Sequence, residues 1–411
     1  PTSRNETMQS TKPLLYHFRV LPIGLLWLNS TLALRADLVL SAEIDPPKAT
    51  VAELAKASYA EEKKLEDLPT AFIEASPNAE DGLVLGTLGI DGGEVDPILN
   101  FVNEIAAGMH GDVDSLLIAY KGKLLFESYF RRGRVNYPHY QMSITKSYTA
   151  LAIGRAIQCG YLTMDDLNRP VCEFLTDLEP SRFAKGAATI TLVDVMTMRS
   201  GIRIPQNVQQ QIRSDTAENH GQQQVQKFFE HTAPIADRPR EFKYQGIDPA
   251  ITMQVLEAVV PGAAENFLKK ELLEKLNISE FQWPEDINGL PKSAAGSSMR
   301  SRDMIKWGLL VRQQGKFNGE QLIPTDYIEQ ATSPLCAPSE TNSYGFFFWQ
   351  NVAEIGETKQ ECVTCRGAGG QFIFFFPKRD VIAVVTSHNK GMGPLLKTLP
   401  NKVLQIGRAH V

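Results

Sequence analysis

Residues 141–160 read QMSITKSYTALAIGRAIQCG, and this stretch decides the fold. Leu151, Ala152, Ile153, Ala156 and Ile157 recur at helical spacing, and Gly160 supplies a C-terminal cap. Ser143 and Lys146 stand three residues apart at the helix start. They share one face, so the amine can reach the hydroxyl. The helix N-terminus adds free N–H groups and a dipole that favour a developing anion, and a lysine buried there loses proton affinity and becomes a base. Taken alone, the same residues also read as an N-cap serine followed by a surface lysine. A second Ser-x-x-Lys, at Ser387–Lys390, ends a Val-rich strand and enters a Gly/Pro loop.

Working outward, partners follow in order. FKYQGID (242–248) precedes the helical run ITMQVLEAVV and places Tyr244 where it can share a proton with Lys146. RGAGGQ (366–371) leads into the strand FIFFFP. Small residues at a strand edge let a carbonyl approach the backbone, and an N–H there completes an oxyanion hole with that of Ser143. Upstream, ILNFVNEIAAGM (98–109) has helical spacing, and SLLIAYKGKLLFESYF (115–130) reads as a hairpin turning at Lys121-Gly122. SYGFFFWQ (343–350), QFIFFFP (371–377) and VIAVVTS (381–387) read as strands. The pattern predicts an α/β (α+β) fold: an antiparallel sheet flanked by helices, built from both chain ends, with a mainly helical insertion.

Several independent blocks resemble the penicillin-recognising serine hydrolases, in the branch that holds class C β-lactamases, D-alanyl-D-alanine peptidases, esterases and aminohexanoate-oligomer hydrolases. They are DSLLIAYKGKLLFESYF, QMSITKSYTALAIGRAIQCGYLTMDDL, ITLVDVMTMRSGI, FKYQGIDPAITMQVLEAV, GSSMRSRDMIKWGLL and GAGGQFIFFFP, running from about Asp114 to Ser387. The resemblance implies a serine β-lactamase/transpeptidase-like fold, with Ser143 as nucleophile, Lys146 as general base and Tyr244 as proton relay. It implies that Ser143 and Ala368 supply the oxyanion N–H groups, beside Gly367. Two positions depart from the family pattern. Gly246 stands where the family's Tyr-x-Asn has its asparagine, and Asp248 is the polar group expected to replace it. Cys365-Arg366-Gly367 stands where Lys-Thr-Gly is usual, so the lysine that holds a substrate carboxylate is absent and Arg366 is its partial substitute. The expectation is an exported serine hydrolase that forms an acyl-enzyme on an ester or neutral amide, with no metal and no cofactor. The alternatives are a D-alanyl-D-alanine peptidase or β-lactamase, and a non-catalytic binding protein on the same fold.

Composition agrees with a soluble globular chain: 411 residues, 43% hydrophobic and 22% charged. With 42 Lys+Arg against 47 Asp+Glu and no basic stripe, nucleic acid is not an expected partner; a small-molecule or short peptide-like substrate is. Residues before Met8 read as upstream read-through. Lys12, His17 and Arg19 followed by the apolar Leu21–Ala33 stretch and small Ala33 and Ala36 read as a cleaved export signal, with a buried N-terminal helix or an interfacial anchor as the alternatives. Cleavage would leave no membrane span and place the chain in the periplasm or outside the cell. The expected organisation is 1–36 read-through plus signal, 37–95 N-terminal extension and 96–405 hydrolase domain. Within the last, 96–155 and 310–405 form the α/β part and 156–309 the helical part. IGRAHV, Ile406–Val411, reads as translated sequencing adapter. Ala49–Leu68 has a helical charge pattern, and Glu61–Lys64 reads as a solvated face. Among the cysteines, Cys362 and Cys365, or either with Cys336, are candidates to pair in an exported chain. Asp215 and His220 read as exposed polar loop residues, and Tyr344, Phe346, Phe347 and Trp349 as core and pocket wall.

Overall fold

The apolar runs around residues 113–120, 371–376 and 381–387 are continuous rather than alternating, which calls for a sheet buried on both faces. The computed structural model, which describes residues 45–74, 81–215, 217–355 and 358–403, has such a sheet. The expected export signal and the IGRAHV tail lie outside the described residues. The sheet contains β1 (Phe72–Glu74), β2 (Val113–Tyr120), β3 (Lys123–Tyr129), β4 (Cys336–Ser339), β5 (Asn342–Tyr344), β6 (Trp349–Ile355), β7 (Thr358–Gly367), β8 (Gln371–Phe376) and β9 (Val381–Ser387). Their spatial order is β1-β3-β2-β9-β8-β7-β6-β5-β4, with a two-residue strand, Val84–Leu85, added in parallel to β3. The other pairings are antiparallel. The β2–β3 turn is tight because Lys121 and Gly122 both take positive φ, 48° and 80°.

Successive side chains alternate between two cores. Leu117, Ala119, Ile373, Phe375, Ile382 and Val384 face one, and Leu116, Ile118, Phe372, Phe374, Phe376 and Val385 the other. The second core is closed by α1 (Val95–Ala106) through Ile98, Phe101, Val102 and Ile105. On the first side lies α2 (Ile144–Gln158), buried from Ile144 to Ala156. It packs against an insertion that contains α3 (Gln206–Ser214), α4 (Gln223–His231) and α5 (Ile247–Val259). Then α6 (Ser301–Arg312) returns to the sheet, and α7 (Leu395–Val403) completes the second core. Among the described residues no helix is long and apolar enough to cross a membrane.

Four local expectations are corrected. SYGFFFWQ is not one strand: β5 and β6 pair as Tyr344↔Trp349 and the chain reverses between them. Gly345 permits the reversal, since a Cβ there would sit 2.1 Å from the Ala331 carbonyl oxygen. Phe347 takes φ 58°, and Phe346 and Phe347 turn into the core. The Ala49–Leu68 helix is split in two, Val51–Leu54 and Tyr59–Glu62, because Thr50 and Ser58 each act as an N-cap. Glu62 is not a solvated charge but 1% exposed. All five cysteines are free thiols. Cys362 and Cys365, three apart on β7, belong to opposite cores and cannot meet.

Candidate active site

Ser143 is the residue at the N-cap of α2, yet its side chain caps nothing. The preceding Met142 takes φ 50°, a conformation that non-glycine residues hold only where surrounding contacts impose it. Those contacts are dense. Gln141 N donates to Ser297 O at 2.9 Å, and the Thr145 hydroxyl bonds Met142 O and Ser297 Oγ, both at 2.8 Å. The Ser143 hydroxyl instead accepts from Lys146 Nζ at 3.0 Å, so the reading of a capping serine with a surface lysine does not hold. Lys146 is buried, and Nζ also donates to the Ala294 carbonyl at 2.6 Å. Among the described residues no carboxylate lies within ion-pairing distance of it. Burial alone lowers its pKa from 10.5 to about 8.

Tyr244 joins them from the stretch before α5. Lys146 Nζ lies 4.8 Å from the centre of its ring, and its phenol is close enough to feel the Ser143 hydroxyl. Desolvation raises the phenol pKa, and that hydroxyl and the Arg366 charge offset part of the rise. Tyr244 is held by an aromatic wall: its ring lies 5.6 Å from Trp349, which meets Tyr344 edge-on at 4.8 Å. This wall realises the expectation for Tyr344 and Trp349, while Phe346 and Phe347 lie in the core behind it.

Gly367, at the end of β7, explains how the second N–H comes close. A Cβ at that position would meet Gln141 O at 2.4 Å and Met142 Cβ at 3.0 Å, so only glycine lets the strand end pack on the segment that leads into Ser143. Ala368 follows, exposed. Among the described residues neither the Ser143 nor the Ala368 amide N–H donates to another protein group, which leaves both free for a ligand oxygen.

Two expected substrate contacts are engaged elsewhere. Arg366 is buried, and its guanidinium donates to Thr364 Oγ1 at 2.7 Å, Asn342 Oδ1 at 3.0 Å and Asn351 Oδ1 at 3.0 Å. It lies 4.9 Å from the Trp349 ring centre, and desolvation lowers its pKa to about 10. Asp248 does not line the cleft: it is fully buried in the first turn of α5. One oxygen accepts from Ser200 Oγ at 2.7 Å and Gln245 Nε2 at 2.9 Å, and desolvation raises its pKa to about 7. Gly246 carries no side chain into the space between Tyr244 and α5. A cavity of about 300 Å³ borders it, with Ala294, Ile212, Phe228, Ile247 and Ile287 among its walls. Asp215 pairs with Lys227 at 3.5 Å and His220 is exposed. Sequence reasoning missed Ala294. The contact is a backbone carbonyl 148 residues from Lys146, which any residue type supplies.

A mixed α/β fold with a large antiparallel sheet, and a serine–lysine pair on the helix packed against β7, define the class. The family model named Beta-lactamase matches residues 101–406, and the chain belongs to that family. A protein of Alkalihalophilus pseudofirmus without assigned function is 22% identical over 271 residues, 59% of this chain and 71% of its own. Solved structures with this fold include a Bacillus anthracis protein provisionally named a 6-aminohexanoate-dimer hydrolase, with TM-score 0.62, 17% identity and coverage of 86% of this chain and 93% of that one. The octameric penicillin-binding protein homologue of Pyrococcus abyssi gives TM-score 0.55 and 17% identity over 72% and 74%. A class C β-lactamase gives 0.58 and 14% over 77% and 97%.

Proposed function

We propose that this chain is a serine hydrolase that works by acyl transfer on an ester or neutral amide. The observation that carries the reading is the uncapped Ser143 hydroxyl 3.0 Å from a buried, carboxylate-free Lys146 amine. In this scheme neutral Lys146 takes the proton as Ser143 Oγ bonds to the substrate carbonyl carbon. The carbonyl oxygen becomes an oxyanion facing the Ser143 and Ala368 N–H groups. Tyr244 passes the proton from Lys146 to the departing alkoxide or amine, the carbon–heteroatom bond breaks, and water then hydrolyses the acyl-enzyme by the reverse proton path.

The substrate class rests on Arg366. Each of its three nitrogens already donates to a neutral oxygen, and the lysine that would hold a carboxylate is replaced by Cys365, so a substrate without an anionic group at that end fits best. The cavity beside Gly246 is lined by Ile212, Phe228, Ile247 and Ile287 together with Gln209, Arg213, Gln224 and Asp286, and its apolar part suits a hydrocarbon substituent. Hydrolysis of p-nitrophenyl butyrate by the wild type and by Ser143→Ala tests the reading. Turnover is expected in the first and a loss of at least ~10³-fold in the second; equal rates would overturn it. Faster hydrolysis of a chromogenic cephalosporin than of the ester would move the assignment to the β-lactamase alternative.

A further inference from the structure

Glu62 precedes the region matched by the family model, yet it reaches the edge of the site. Its Oε2 accepts from Tyr140 N at 3.0 Å and its Oε1 is paired with His139 Nδ1. The other ring nitrogen of His139 lies 2.7 Å from Gln371 Oε1. The orientation of that amide is set by its remaining partners: Ser387 N donates to Oε1 at 3.1 Å, and Nε2 donates to Ser387 O. Gln371 Oε1 is therefore an acceptor, and so is the Glu62 carboxylate. An imidazole whose Nε2 is bonded to one acceptor while its Nδ1 is ion-paired with a carboxylate carries a proton on each nitrogen. These two partners make His139 an imidazolium.

This chain of bonds ends at the turn that carries Ala368. Gln371 Nε2 also lies 3.5 Å from Ala368 O, and Ser387 Oγ donates to Gly369 O and Gly370 O at 2.5 and 2.8 Å. From His139 the backbone runs through Gln141, whose carbonyl touches Gly367, to Ser143. We propose that Glu62, His139 and Gln371 are positioning residues that hold the Ala368 N–H in register with Ser143, and that they do so only while His139 carries both ring protons. The proposal rests on the acyl-transfer reading.

The groups facing His139 agree with that state. Burial works against the charge, but Glu62 and Asp114 outweigh it and hold the pKa above the ordinary histidine value. His388 meets the ring edge-on at 5.3 Å. Its Nδ1 lies 2.6 Å from Asp114 Oδ2 and its Nε2 lies 3.8 Å from Glu62 Oε1. Arg132 closes the cluster behind Asp114 at 3.2 Å. Because the folded pKa of His139 is raised, its contribution is complete below the ordinary value and is lost as pH climbs through the folded one. Loss of either proton turns a buried lone pair toward an acceptor.

The test measures kcat and KM for p-nitrophenyl butyrate against pH in the full chain, with Glu62→Gln and Glu62→Asp beside the wild type. Glu62→Gln keeps an acceptor for Nδ1 but removes the charge. Its alkaline limb of kcat should move at least about one pH unit toward acid, with KM within about twofold, while Glu62→Asp restores the wild-type limb. Independently of turnover, ¹⁵N resonances of the wild-type His139 ring should both be those of protonated nitrogen at neutral pH. A neutral ring, or superimposable profiles for wild type and Glu62→Gln, would overturn the positioning role alone. A wild type that hydrolyses no ester or amide at any pH would overturn the acyl-transfer reading and this role with it.

Discussion

Replacing the proposed base by methionine, Lys146→Met, should inactivate the protein and, near neutral pH, stabilise it. Lys146 is 5% exposed, and burial lowers its pKa from 10.5 to about 8. Such a lysine binds its proton more tightly in the unfolded chain than in the folded one. The wild type is therefore penalised below the folded pKa and recovers as pH climbs from about 8 toward 10.5. At ~1.36 kcal/mol per pKa unit the full penalty is about 3 kcal/mol, of which about 1.4 kcal/mol is recovered by about pH 9. The variant gives up the hydrogen bonds to Ser143 Oγ and Ala294 O, worth ~1 kcal/mol each net. It should then be about 1 kcal/mol more stable than the wild type near pH 7, equal near pH 9 and less stable above that. Urea unfolding of both proteins at matched ionic strength, stepped from about pH 7 to pH 10, reads this difference as a drift between midpoints. A stability difference that stays constant over that range would refute the reasoning. Lys146 would then titrate like an exposed amine, and the activation of Ser143 would lose its physical source.

Two further outcomes follow from the same geometry. Gly367→Ala places a Cβ 2.4 Å from Gln141 O; overpacking of this kind costs ~1–3 kcal/mol, so the melting temperature should drop and kcat should fall more than KM changes, whereas wild-type kinetics would mean the close approach is not needed. Asp248→Asn removes a carboxyl whose folded pKa is raised from 3.8 to about 7. The wild type loses stability as pH rises between those values, so the variant's relative stability should grow across that window and level off above it, as denaturant midpoints would record.

Much of this protein was legible in its sequence. The β2–β3 hairpin, α2 with its Gly160 cap and the strands β8 and β9 follow from periodicity and turn residues, which act over a few neighbouring positions. The Ser143–Lys146 spacing likewise needs only helical geometry to bring amine and hydroxyl together. Elements whose form depends on distant partners are not legible in this way. SYGFFFWQ carries the composition of a strand, but Gly345 packed against the Ala331 carbonyl turns it into a reversal. Glu61–Lys64 looks like a solvated charge run, yet residues 77 and more positions away, Tyr140 and His139 among them, bury Glu62.

Local pattern therefore determined which residues are chemically able to act: a serine and a lysine on one helix face, a tyrosine before α5, and a glycine-rich strand end. Only the tertiary structure decided their state. The Ala294 carbonyl that fixes the amine, the desolvation that lowers its pKa, the sheet oxygens that occupy Arg366 and the burial that turns Asp248 away from the cleft all come from segments far apart in the chain. Proton affinity and direction of approach depend on what surrounds a group in three dimensions, and no short stretch of sequence contains that information.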